Sequence, residues 1–366
     1  MLPISPPPSS SLPVHPSRSP LDQGPCRIVY ETVHSRALAD NALGDPTERL
    51  TPVILPPSYD QSPDRRYPVI YVLSSFASTG WQLLSRSPLA EAFDERLARL
   101  YAGPSALPDT PPLSECIYVL PDCFTSLGGS QYVNSPYMGH YEDHIVREVV
   151  PLIDQRYRTL PAAAHRGIVG RSSGGIGALW LAMNHPAVFG AVASHAGDGA
   201  FRVTMPHIIL PFCRKARRMG GPAALLRHWL SLGKGPRGGD LFDPMTVLAS
   251  AAAYSPDPST DLGFALPFDP HSGELDESVF ARWLRFDPVE ICLEDRYRHA
   301  LSGMRLIYLD AGVRDEYFLD FAARAVADRL RSARIDVMHE EFDDGHRSTN
   351  YRYDRSLPLL AAALSG

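Results

Sequence analysis

Cysteine is scarce and scattered: the five present, Cys26, Cys116, Cys123, Cys213 and Cys292, are odd in number and form no C-x-x-C pair. That excludes the common zinc-ribbon and dithiol frameworks and leaves reduced, mostly buried thiols as the expectation. No stretch approaches the roughly 18 consecutive apolar residues of a membrane span. The opening Met-Leu-Pro-Ile-Ser-Pro-Pro-Pro offers neither a basic n-region nor an unbroken apolar h-region, so a cytoplasmic protein without a membrane partner is expected. Nor does one sign of charge dominate. The 35 basic and 41 acidic residues, net charge -6, are mixed along the chain, which argues against a nucleic-acid partner. No internal repeat is visible.

What is present is the composition of an ordinary globular protein, 44% hydrophobic and 21% charged over 366 residues. It is compatible with one core domain plus decoration. Residues 1–25 are dominated by Pro and Ser and read as a disordered tail, leaving residues 26–366 as the folded domain. Short apolar, β-branched runs at 27–33, 49–55, 68–73, 116–120, 167–169, 191–194, 306–309 and 337–342 read as eight strands. Helical patterning falls at 141–157, 175–184, 317–333 and 356–364. This alternation predicts an α/β fold with a mainly parallel sheet flanked by helices. The rhythm breaks between about 203 and 301, where Gly and Pro are frequent and only 223–232 and 278–284 show helical periodicity. That region reads as an insertion shaped as a cap or lid over the substrate pocket.

The sharpest local signal is Gly170-Arg171-Ser172-Ser173-Gly174-Gly175, a G-x-S-x-G pattern between a strand-like and a helix-like run. Such a turn raises the serine hydroxyl above the sheet, and glycines on either side let backbones approach closely. A glycine-serine loop is the alternative. A serine hydroxyl needs a base, and of thirteen histidines His346 is singled out by Phe342-Asp343-Asp344-Gly345-His346, a strand end and turn before the last helix. The acid should lie between the two in the chain. Asp315, in the loop after a strand, is preferred to Asp310, which looks embedded in the strand end, and to Glu316; its alternative role is an N-cap. Backbone N–H groups of Ser173 and Phe76 are the candidate oxyanion donors.

Taken together, these residues resemble the esterase D family of α/β-hydrolases, which includes S-formylglutathione hydrolases, feruloyl and acetylxylan esterases, enterochelin esterases and mycolyltransferases. The resemblance runs from Tyr67-Pro68-Val69-Ile70-Tyr71-Val72-Leu73 through Gln131-Tyr132-Val133-Asn134-Ser135, Tyr141-Glu142 and Glu148-Val149-Val150-Pro151. It continues to the serine motif, Gly312-Val313-Arg314-Asp315 and Gly345-His346. It implies the α/β-hydrolase fold, an acyl-enzyme at Ser172 completed by Asp315 and His346, a small-molecule ester substrate, and no metal or organic cofactor. Two departures stand out. Ser74-Ser75 replaces the family's usual His-Gly, and Arg347-Ser348-Thr349-Asn350-Tyr351 lacks the usual Asp-Trp.

Hydrolysis of a carboxylic ester or thioester is therefore expected. The alternatives are acyl transfer with the same residues, or a binding protein that keeps the fold without the chemistry. Three further signals carry less. His140 and His144 are spaced as helical metal ligands, but the glutamate is displaced from H-E-x-x-H. Arg214, Lys215, Arg217 and Arg218 read as a solvated face or an anion contact. Tyr132, Asn134 and Tyr137 are placed either in the substrate pocket or in ordinary loop packing.

Overall fold

The computed structural model describes residues 26–87, 90–232 and 239–366; the Pro/Ser-rich stretch 1–25 lies outside them. Eight strands form one sheet: β1 (Arg27–His34), β2 (Glu48–Leu55), β3 (Val69–Leu73), β4 (Ile117–Val119), β5 (Arg166–Arg171), β6 (Ala191–His195), β7 (Leu306–Gly312) and β8 (Met338–Phe342). Their spatial order is β1-β2-β4-β3-β5-β6-β7-β8. The β1–β2 and β2–β4 pairs are antiparallel and all others parallel. The strands predicted from apolar runs are thus all present, with ends that coincide or differ by up to three residues.

Central strands β3, β4 and β6 have no exposed position, as a sheet covered on both faces requires. Alternate side chains enter two cores. Ile168, Val192 and Ile307 pack with α2 (Ser173–Asn184) and α8 (Leu319–Ser332), whereas Val169, Ala193 and Tyr308 pack with α1 (Phe93–Ala102) and α9 (Tyr353–Ser365). The edge strand β8 reads Met-His-Glu-Glu-Phe, a polar composition that discourages pairing with another chain.

Residues 141–156 are helical as expected, but the run widens into a π-helix over His144–Val149. Pro151 explains this: it has no N–H for the Arg147 carbonyl, and its ring would crowd that oxygen in a regular α-turn.

The irregular-looking stretch after β6 is far more helical than its sequence suggests. It holds α3 (Pro206–Arg218), α4 (Pro222–Ser231), α5 (Phe242–Tyr254), α6 (Glu277–Leu284) and α7 (Asp295–Ser302). Helix α5 lacks an amphipathic stripe because nearly all of it is buried, from Pro244 to Tyr254 apart from Thr246. That all-round burial is why periodicity missed it. The segment builds a third apolar core, in which Tyr254 stacks on Phe286 at 4.7 Å and α3 and α5 cover the sheet's carboxyl edge beside Phe76.

Behind that edge lies a buried polar network. Asp310, fully buried at the end of β7, accepts from Arg352 Nε at 2.8 Å and Tyr308 OH at 2.8 Å, and pairs through Oδ1 with His195 Nδ1 at 2.7 Å. His195 Nε2 meets Ser356 Oγ at 2.7 Å. Arg352 also bonds Glu340 at 2.5 Å. Burial alone would push the Asp310 carboxyl up, but His195 and Arg352 hold it below the ordinary range. Removing one partner of such a set leaves an uncompensated buried charge. Arg352→Leu is expected to cost about 3–5 kcal/mol, read as a lower urea midpoint at unchanged slope; a loss under about 1 kcal/mol would show that the network does not anchor the fold.

Candidate active site

Parallel strands β3, β5, β6, β7 and β8 end on one edge, and the loop that follows each carries one element of a shared site. After β5, Ser172 adopts φ 57° and ψ -125°, a conformation costing a non-glycine residue about 1–3 kcal/mol. Its surroundings impose it. Ser172 N–H donates to the His195 carbonyl at 2.9 Å, and the Ser172 carbonyl accepts from Gly175 N at 2.7 Å. A Cβ on Gly170 would stand 2.1 Å from the Gly174 oxygen, and one on Gly174 would stand 2.5 Å from the Leu73 oxygen. Only glycine at both positions allows this approach.

His346 follows β8, and its Nε2 lies 3.1 Å from Ser172 Oγ. Its Nδ1 lies 2.7 Å from Asp315 Oδ2, while Asp315 Oδ1 accepts from Tyr317 N at 2.8 Å. Both side chains are buried. The two rival acids are engaged elsewhere: Asp310 belongs to the His195–Arg352 network, and Glu316 Oε2 accepts from His346 N at 2.6 Å. That backbone bond holds the Glu316 carboxyl below its ordinary range. Asp315 is not a helix N-cap, because α8 starts at Leu319 after Phe318.

The loop after β3 faces Ser172. Tyr132 OH donates to the Ser74 carbonyl at 2.6 Å, and Ala77 N donates to the Gly128 carbonyl at 2.7 Å. The Phe76 ring lies against Gly128 and Gly129, where any Cβ would strike it, and meets Phe242 edge-on at 5.4 Å. Among the described residues neither the Phe76 N–H nor the Ser173 N–H has a protein acceptor, so both can serve an incoming oxygen. Ser74-Ser75 supports this loop through Ser74 Oγ, which bonds the Ser78 carbonyl at 3.1 Å.

A narrow pocket of about 40 Å³ opens onto Ser172 and His346, walled by Phe76, Asp198, Met205, Ile208, Phe242 and Tyr317. Tyr317 meets the His346 ring edge-on at 4.9 Å.

Two residues here escaped the sequence reading. Arg171, inside the serine motif, donates to the His346 carbonyl and, through Nε, to Thr349 Oγ1 at 3.0 Å. It ties the histidine loop to the serine turn. Asp198 lies three residues beyond β6, at the same edge, and that position was its available signal.

Conversely, the three pocket candidates upstream do not line the cavity. Tyr132 braces Ser74, Asn134 Oδ1 accepts from Asp143 N at 3.0 Å, and Tyr137 packs on Phe264. His140 is exposed, whereas His144 is buried against Glu148 at 2.9 Å. Lys215 pairs with Asp240 on the surface of α3.

Comparison with known proteins places this geometry in context. A family model described as "Putative esterase" matches residues 46–352. Over 79 residues the chain is 30% identical to "Uncharacterized protein YbbA" of Bacillus subtilis (strain 168), a stretch covering 22% of this chain and 29% of that protein. Among solved structures it resembles a ferulic acid esterase, with TM-score 0.57 and 20% identity over 93% of this chain and 99% of that one. It also resembles fluorophosphonate-binding serine hydrolase F of Staphylococcus aureus, with TM-score 0.52 and 14% identity over 94% and 100%. An S-formylglutathione hydrolase from Agrobacterium tumefaciens gives TM-score 0.51 and 14% identity over 93% and 95%. At such identities the likeness carries the fold, which is that of α/β-hydrolases.

Burial pushes the Asp198 carboxyl up to about 6, with Asp315 adding to the rise and His346 opposing it. The folded chain therefore holds a proton that the unfolded chain releases near pH 4, so this group's contribution to stability falls as pH rises from about 4 to 6. Asp198→Asn is expected to become more stable relative to wild type across that window, by roughly 1–2 kcal/mol. Urea unfolding at pH 4 and pH 7 checks this; a pH-independent difference would contradict it.

Proposed function

The chain belongs to the esterase family whose model spans residues 46–352, and from that premise we propose that it is a serine esterase hydrolysing a small carboxylic ester or thioester through an acyl-enzyme on Ser172. The observation that carries this reading is the continuous hydrogen-bonded line from Asp315 through His346 to Ser172 Oγ, 2.7 and 3.1 Å in its two links, opening on a pocket.

In this mechanism His346 Nε2 takes the Ser172 hydroxyl proton as Oγ bonds to the substrate carbonyl carbon. Asp315 fixes the imidazole with Nδ1–H toward its carboxylate, so Nε2 is the free base, and it stabilises the cation that forms. The carbonyl oxygen becomes an oxyanion held by the N–H groups of Phe76 and Ser173; each such donor is worth about two to three powers of ten in rate. The helix α2 N-terminus beside Ser172 adds favourable potential for that charge. The ester C–O bond, or the thioester C–S bond, then breaks, and the leaving alkoxide or thiolate receives the proton from His346. Water, deprotonated by the same nitrogen, attacks the acyl-enzyme. Collapse of the second tetrahedral species returns the proton to Oγ and releases the acid.

Ser172→Ala and His346→Ala are each expected to lower kcat for p-nitrophenyl acetate by about four to six powers of ten, and Asp315→Asn by about two fewer. The narrow pocket predicts turnover of acetate and butyrate esters above decanoate. A fluorophosphonate probe should label wild type but not Ser172→Ala. Undiminished turnover in Ser172→Ala would refute the mechanism, and wild-type activity in Asp315→Asn would refute the choice of acid.

A further inference from the structure

The polar side chains around the pocket divide unevenly between donors and acceptors. Thr204 Oγ1 donates to the Gly199 carbonyl at 2.8 Å, and Thr246 Oγ1 to the Phe242 carbonyl at 3.0 Å. Tyr317 OH donates to Asp243 Oδ1 at 3.3 Å. Each hydroxyl hydrogen is thus committed to the protein. His207 Nδ1 meets the Thr204 carbonyl, an oxygen that can only accept, so Nδ1 carries a hydrogen, and in the neutral ring Nε2 presents a lone pair. That Nε2 is buried and has no partner among the described residues.

Asp198 completes the pattern. It lines the same pocket and has no hydrogen-bond partner among the described residues; its ionisable neighbours are His346 and Asp315. Apart from Ser172, His346 and the backbone amides reserved for the oxyanion, the polar wall offers acceptors alone. Unpartnered acceptors in a partly buried site are costly, and a ligand that supplies hydrogen-bond donors removes the cost.

We infer that Asp198 is a specificity-determining residue that recognises a hydrogen-bond donor, a hydroxyl or an ammonium, carried by the substrate close to its ester group. The inference rests on the esterase reading and narrows it. Asp315, on the far side of His346 Nδ1, adds negative potential that favours a positively charged donor, while the raised pKa of Asp198 reflects how incompletely its charge is compensated in the free protein. A hydroxyl would use the same carboxylate oxygens with less electrostatic gain. The rejection of plain substrates follows from the same geometry. A methyl group in place of the donor would leave Asp198 desolvated and unpaired, the arrangement that gives polar sites their strongest discrimination.

The test compares kcat/KM within one enzyme, so the amount of folded protein cancels. Ethyl 3-hydroxybutyrate and ethyl 3-aminobutyrate are measured against ethyl butyrate for a donor on the acyl side, and glycerol 1-acetate against propyl acetate for a donor on the alcohol side. Wild type is expected to prefer at least one donor-bearing ester by about tenfold or more, and Asp198→Ala should bring that ratio to within about threefold of unity. Asp198→Asn, which preserves size, should reduce an ammonium preference more than a hydroxyl preference. Equal use of plain and donor-bearing esters by wild type, or a preference that survives Asp198→Ala, overturns the subsite while leaving the hydrolase intact. Absence of Ser172-dependent turnover for all five esters overturns the esterase reading and this inference with it.

Discussion

A single close approach of backbone to backbone governs the site. The turn carrying Ser172 presses Gly174 against the Leu73 and Ser74 carbonyls, at a separation that leaves no room for a Cβ. Because β3 and β5 are neighbours in register, with Leu73 opposite Gly170, this contact fixes the hydroxyl and the Phe76 amide relative to one another. The strained φ of Ser172 is the local cost. The neighbouring strands, the buried helix α2 and the bond from Ser172 N to the His195 carbonyl hold the turn in that conformation.

Four carboxylates crowd the same edge of the sheet, and partners alone sort them. Asp310 is locked between His195 and Arg352, Asp315 orients His346, Glu316 receives the His346 backbone N–H, and Asp198 faces the pocket without a partner. The same chemical group thereby serves as anchor, orienting acid, loop clamp and pocket wall within a few residues of strand ends. Arg171 joins two of these loops by holding the His346 carbonyl, so the serine turn and histidine loop are fixed to each other as well as to the sheet.

Much of this was legible in the chain. Apolar, β-branched runs located the central strands because burial on both faces demands them, the partly exposed edge strands β1 and β8 were read from weaker runs beside them, and chain order with loop position brought Ser172, Asp315 and His346 to one place. The helices between β6 and β7 were harder to read. Helix α5 is buried all round and shows no stripe, while Pro211 within α3 argued against a helix that tertiary packing nevertheless maintains. Tyr132 and Asn134 sat in a stretch resembling a known family, with Tyr137 just beyond it, yet the three side chains brace loops rather than line the pocket. Asp198 went unnoticed because no local pattern surrounds it; only the sheet topology brings it to His346.

The buried array of Asp310, His195 and Ser356 carries a wider implication. Its two contacts are both 2.7 Å, against 2.7 and 3.1 Å for the equivalent pair ending at Ser172. A search that scored only three residue types and their spacing would rank it first. Yet Ser356 is fully buried and His195 almost so, and neither can meet a carbonyl carbon or exchange a leaving group. Two arrangements of the same residue types therefore coexist in one molecule, one serving as a cross-brace between strands and the last helix. Solvent access, rather than the quality of the hydrogen bonds, decides which of them can turn over a substrate.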